Sequence, residues 1–188
     1  MTDVPEWLDR LAARAVHTPV PHGLRPPARG GRRAAVLLLF GEGPDGPDLL
    51  LIQRSSRGRR HAGQPAFPGG GVDPEDDGPV GAALREAAEE TGIDPAGVKV
   101  LCTLPELFVW HSDNRVTPVI GWWHTPVAVY AAAPDEVDSV ERVPIAELVD
   151  PRQQDRPAHP DRTQGPSLQG ARAPRVGVHR DGARRGAA

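Results

Sequence analysis

GQPAFPGGGVDPEDDGPVGAALREAAEETGI, residues 63–93, is the stretch that decides how this 188-residue chain folds. Its second half is predicted to be one short helix. Gly78-Pro79 suits an N-cap and a first helical position, Ala82, Ala83, Leu84, Ala87 and Ala88 are good formers, and Thr91-Gly92 closes it. Glu86, Glu89 and Glu90 fall at i, i+3 and i+4, so three carboxylates share one face. Three like charges there weaken an isolated helix unless a cation sits between them. Hard divalent ions answer that description: Mg²⁺ takes oxygen ligands, keeps several waters, and is held by one or two carboxylates together with substrate phosphates. The natural partner of such a face is a phosphate ester or anhydride.

A Glu-rich helix face on its own is ordinarily solvated surface; the residues around this one reverse that reading. Gly71, then Arg85-Glu86-Ala87, Glu89-Glu90, Gly92 and Ile93 resemble the signature of the Nudix hydrolases, a glycine and an acidic residue followed by R-E-U-x-E-E-x-G-U with U aliphatic. Every element of the second half matches. Upstream, the family pattern has Glu eight residues before the Arg, whereas this chain has Asp77, preceded by Asp76. The shorter carboxylate reaches less far toward Arg85 or a metal, and the sequence leaves the role of Asp77 open.

Length and composition set modest bounds. The chain is one domain's worth and large enough for a proper core. Gly and Pro, at 21 and 22, predict plentiful loops. The single Cys102 excludes an internal disulfide and fits a reducing compartment; inside the apolar run 98–102 it reads as a small core residue rather than a nucleophile. No segment approaches the about 18 apolar residues of a membrane span, and the N-terminus lacks a signal peptide's apolar region, so a soluble, cytoplasmic protein is expected. The net charge of −3 hides an asymmetry: residues 151–188 hold eight Arg against three Asp, a net +5, which leaves −8 on residues 1–150. An acidic body is a poor general nucleic-acid binder and suits a site that recruits positive charge as metal.

Taken in order, Val4, Trp7, Leu8, Leu11 and Val16 recur near helical spacing and predict a short amphipathic packing helix, followed by a Pro/Gly/Arg-rich linker to about Arg32. Ala34 to Phe40 is a continuous apolar run that reads as a buried strand, and Leu49 to Gln53 as its hairpin partner. Val98 to Leu104 and Arg115 to Trp123 read as further strands, joined by a segment, Glu106 to Asn114, whose polar end is expected to border the site. The adjacent Trp122 and Trp123 must face opposite sides of a strand, one in the core and the other exposed or covered. Glu136-Val137, with Val140 and Val143 to Leu148, reads as a last strand and a short helix, and Glu136 is a further candidate metal ligand or base.

Leu50-Leu51-Ile52-Gln53-Arg54-Ser55, then Arg59, Gly63 and Phe67-Pro68-Gly69-Gly70, is similar to the extra signature that precedes the Nudix box in coenzyme A pyrophosphatases, L-L-T-x-R-S/A-x3-R-x3-G-x3-F-P-G-G. Every spacing holds, and Ile52 for Thr is an exchange of β-branched residues on a strand. Arg54 and Arg59 are two permanent forks flanking a Gly-rich loop, the arrangement wanted for a ligand with several phosphates. Arg57 and Arg60 match nothing and read as solvated surface. His61 is a weaker candidate phosphate donor, and Gln64 and Phe67 are candidate pocket residues, Phe67 equally a core one. Gly69 to Gly71 allow the backbone to approach helix and ligand closely. Relatives often carry a Gly-aromatic pair before the V-T-P of the later strand; here it is Asp113-Asn114-Arg115, which argues against adenine or pantetheine contacts at that place.

The resemblance implies an α/β/α Nudix sandwich with a mixed sheet: residues 1–32 an N-terminal helix and linker, 33–150 the catalytic domain. Residues 151–188, with one Leu, two Val and no Ile, Phe, Tyr, Trp, Met or Cys, are expected to be a disordered basic tail. By the resemblance, proteins of this kind continue with another strand and an apolar C-terminal helix over one face of the sheet; neither is expected from residues 151–188, and the Arg/Pro/Gly/Ala bias is what a GC-rich gene read out of frame is expected to give. A basic tail binding something acidic is the alternative. Without that helix, the sheet is expected to expose apolar area.

By resemblance, the reaction is hydrolysis of the diphosphate of coenzyme A or its thioesters to 3′,5′-ADP and 4′-phosphopantetheine or an acyl form. Glu86 and Glu90 would hold Mg²⁺ or Mn²⁺, Glu89 would ligate a second ion or take the proton of water, and Arg85 would brace the carboxylates. Arg54, Arg59, Gly63, Phe67, Gly69 and Gly70 would meet the substrate, a small molecule and not a nucleic acid or a membrane. Two alternatives stand beside it: a Nudix hydrolase of ADP-ribose or a nucleoside triphosphate, which has no need of the Arg54/Arg59 pattern, and a catalytically silent or unstable module.

Overall fold

The computed structural model describes residues 3–55 and 63–149; the expectations for Arg57, Arg59, Arg60, His61 and the 151–188 tail lie outside them. The chain runs through α1 (Glu6–Ala15), β1 (Arg32–Gly43), β2 (Gly46–Arg54), β3 (Pro65–Ala66), β4 (Gly69–Gly71) and α2 (Gly78–Thr91). It continues with β5 (Val98–Thr103), β6 (Leu107–Val109), β7 (Asn114–Trp123), β8 (Val137–Pro144) and α3 (Ile145–Leu148). Among the described residues the eight strands form a single sheet with the path β3-β2-β1-β7-β5, while β4 pairs with β1, β6 with β7 and β8 with β2. The β1–β7 pairing is parallel and the others antiparallel, which makes the sheet mixed. β1 and β2 are the hairpin expected from the turn residues between them.

β1 reads as an unbroken apolar run because both of its faces are covered. Leu37 and Leu39 join Leu50, Val119 and Trp123 under Ala82, Ala83 and Ala87 of α2. Leu38 and Phe40 point the other way, with Leu49, Leu51, Ile120 and Trp122, beneath Leu8 and Trp7 of α1 and Ile145 and Leu148 of α3. The helices on the two sides complete the α/β/α sandwich. Trp122 and Trp123 thus divide between the faces, both about 1% exposed. Cys102 packs beside the α1-side cluster, where burial pushes its thiol pKa up. The bare sheet face expected from the C-terminal sequence is not bare: α1 and α3 lie on it. No helix of the described residues is long and apolar enough to cross a membrane.

Two local expectations are corrected. Asp77, not Gly78, is the N-cap of α2, and no side-chain bond caps the helix there. The segment Glu106 to Asn114 includes β6, which pairs with β7. Trp110 Nε1 donates to the Gly23 carbonyl at 2.9 Å, and the Arg115 guanidinium donates to the Pro27 carbonyl at 3.1 Å and pairs with Glu106 at 2.9 Å. The segment is tied to the N-terminal linker, and none of its residues is among those that line the cleft described next.

Candidate active site

α2 ends where the sequence says, because Gly92 takes the left-handed C-cap conformation at φ +72°. Beyond it the chain is tied back to the helix: Tyr130 N–H donates to the Thr91 carbonyl and Ala132 N–H to the Glu90 carbonyl, both at 3.1 Å, so two of the orphan carbonyls of the last turn are satisfied. This return brings Glu136 toward α2. Glu136 is then fixed from the sheet side, where its carbonyl accepts from Ser55 N–H at 2.7 Å. The β2–β8 register slips between Gln53 and Arg54, an irregularity of the kind that re-aims a side chain beside a site.

The result is a cleft of about 350 Å³ lined by Arg54, the backbone of Gly69 to Gly71, Glu86, Glu89 and Glu90 from α2, and Ala133 with Glu136. Glycine is required on its floor. A Cβ at Gly69 would collide with the Ala35 carbonyl oxygen, and one at Gly70 with the Glu86 carboxylate. That close approach lets Gly69 N–H donate to Glu90 Oε2 at 2.8 Å. Glu90 is only 3% exposed, and burial pushes its pKa up to about 7 against the pull of the Gly69 N–H and the Arg54 charge. Burial also raises Glu86, opposed by the neighbouring Arg85. Glu89, by contrast, has most of its side chain in solvent.

Arg85 stands beside these carboxylates and joins them. Its Nη1 donates to Glu86 Oε1 at 3.1 Å and to Glu89 Oε2 at 3.3 Å, and its Nη2 to the Gly71 carbonyl at 3.1 Å. Its strongest partner is Asp76, through paired bonds of 2.9 and 3.0 Å that hold the Asp76 carboxyl down at about 2. Asp76, and not the adjacent Asp77, carries this ion pair with Arg85.

Among the expected site residues, Arg54, Gly69, Gly70, Glu86, Glu89 and Glu90 come together around the cleft, and Arg85 joins them from the side. Phe67 does not: it packs toward the α1-side core, the second of the two places the sequence allowed it. Gly63 is not among the cleft-lining residues either; it adopts φ +69°, and its N–H donates to the Arg54 carbonyl at 2.9 Å. Ala133 was not foreseen, and nothing in its local sequence marks it.

No three His, Cys, Asp or Glu side chains of the described residues form a ready-made metal cage. The donor set nevertheless fits a hard divalent ion. Glu86 and Glu90 offer carboxylate oxygens beside a glycine backbone, and the buried Glu90 holds a proton to about 7 that a cation can replace. An incomplete protein shell suits Mg²⁺, which keeps waters and shares substrate phosphates.

Comparison with known proteins agrees with this arrangement. The NUDIX domain model matches residues 31–164. An uncharacterized Nudix hydrolase of Escherichia coli, NudL, is 47% identical over 118 residues, covering 63% of this chain and 60% of that protein. The chain therefore spans about 60% of the length of the curated relatives it matches. A Nudix hydrolase from M. smegmatis, RenU, superposes with a TM-score of 0.53 at 27% identity, covering 70% of this chain and 79% of that one. The NUDIX domain of Shewanella oneidensis NrtR, solved with ADP ribose, shares the fold with a TM-score of 0.51 at 22% identity, covering 73% and 85%.

Proposed function

Because the chain belongs to the NUDIX domain family, we propose that it hydrolyses a nucleoside diphosphate derivative with Mg²⁺ or Mn²⁺, and that the substrate is coenzyme A or one of its thioesters. Arg54 carries the substrate assignment. It belongs to the pattern Leu50 to Gly70 that resembles coenzyme A pyrophosphatases, and it lies in the cleft that also contains the carboxylates of α2. A guanidinium on the wall of an otherwise acidic cleft is a fork for a phosphate oxygen. Arg59 belongs to the same pattern, and residues 33–150 are taken as the catalytic unit.

Glu86 and Glu90 are assigned to the metal, which when bound would neutralise diphosphate oxygens and acidify a water. Gly69 N–H orients Glu90 by fixing one carboxylate oxygen, which leaves the other for the site. Arg85 holds Glu86 and Glu89 at a set separation. Water adds to one phosphorus as the bridging P–O bond breaks, its proton passing to Glu89, or to Glu136 across the cleft, and two phosphate monoesters leave.

Product analysis with coenzyme A and, separately, ADP-ribose tests the reading. Release of 3′,5′-ADP from coenzyme A alone, with Glu90→Gln or Glu86→Gln lowering the rate by about 100-fold or more, on the order of 3 kcal/mol, is the expected result. Cleavage of ADP-ribose alone overturns the substrate, and near-normal turnover by Glu90→Gln overturns the metal site.

A further inference from the structure

We propose that Asp76 is a positioning residue of the metal site, acting through Arg85 on the spread of Glu86 and Glu89. The inference rests on the metal reading above and deepens it. Asp76 is held from two directions. Its Oδ2 accepts from Asp73 N–H at 2.8 Å, which locks the turn before α2, and both carboxylate oxygens grip Arg85, at Nε and at Nη2. Its side chain is 6% exposed and that of Arg85 30%. With Nε and Nη2 engaged there, and Nη2 also on the Gly71 carbonyl, the remaining Nη1 has one direction left, and it meets Glu86 and Glu89 together.

Without Asp76 the guanidinium has only those two carboxylates and the exposed Asp73, 3.4 Å away, as charged partners. It then turns further onto Glu86 and Glu89 and competes with a cation for their oxygens. Asp76 therefore draws the positive charge back from the face that a metal must share. Its neighbour Asp77 makes no side-chain cap, although the family pattern has its acidic residue at that position. The chain delivers the carboxylate one residue earlier, from a turn rather than from the helix start.

The test is Mn²⁺ titration of the full chain, followed by the electron paramagnetic resonance of the free ion, with thermal melting of the metal-free protein as a check on folding. Asp76→Asn, which keeps the shape and the Asp73 contact, is expected to weaken Mn²⁺ binding by about tenfold or more, the usual effect of losing a partner behind a ligand. Asp77→Asn should bind as the wild type does. Wild-type affinity in Asp76→Asn, or an equal loss in Asp77→Asn, overturns the role of Asp76 while leaving the metal site standing. A wild-type chain that binds no Mn²⁺ overturns both. Should Asp76→Asn not fold, Asp76→Glu decides: it keeps the charge, so binding within about threefold of wild type supports the role, and a folded variant that has lost tenfold or more refutes it.

Discussion

Glu90 is the residue on which stability and the proposed chemistry pull in opposite directions. Its carboxyl titrates near 7 in the fold against 4.5 unfolded. Between those values the folded state binds more protons than the unfolded one, so stability is complete below about 4.5 and falls as pH rises through 7. Denaturant melts of metal-free protein should show this decline, worth at most about 3 kcal/mol in total, and Glu90→Gln should flatten it. A pH-independent wild type would refute the buried-proton picture. Adding Mg²⁺ should raise the melting temperature more at pH 8 than at pH 5, because the ion replaces a proton already gone. The spacing of Glu86, Glu89 and Glu90 was legible in the sequence because a helix maps i, i+3 and i+4 onto one face. The pairing of Arg85 with Asp76 was not, since two adjacent aspartates differ only in the turn that aims them, and that turn is set by the Asp73 N–H.

The elements that build the cleft differ in how visibly the sequence writes them. α2 is bounded by Gly78-Pro79 and Gly92, local signals that need no tertiary partner. The return segment 124–136 has no such mark. It becomes an element of the site only through backbone bonds to Glu90 and Thr91, and Glu136 reaches the cleft by that route. The same distinction bears on Glu106 to Asn114: Trp110 of that segment donates to the Gly23 carbonyl and Glu106 pairs with Arg115, which in turn donates to the Pro27 carbonyl, partners far away in sequence. Strand β4 gives the sharpest test at this scale. Gly70→Ala should push the Glu86 carboxylate aside and cut turnover with little change in melting temperature, since the contact is with a side chain. Gly69→Ala meets the Ala35 backbone at φ +150° and should cost more than about 1 kcal/mol of stability, read from urea unfolding. Equal effects of the two substitutions on stability would contradict this division.

At the scale of the molecule, α1 acts as one outer layer of the sandwich. Leu8 is fully buried, and the Trp7 and Phe40 rings meet edge to face at 5.9 Å, so the packing helix foreseen from five apolar residues covers the sheet face opposite the cleft. Leu8→Ala should cost about 2–5 kcal/mol, and the destabilised variant should bind a hydrophobic dye before it loses secondary structure. A loss below about 1 kcal/mol would mean that α1 is dispensable. The parallel pairing of β1 with β7 has a further consequence for synthesis. Arg32 must wait for Asn114, and Phe40 for Trp122, before the edge of the central strand opposite β2 is paired. While the chain emerges from the ribosome, β1 therefore has an unmatched edge until β7 has been made, the interval in which a chaperone or a wrong neighbour competes for it.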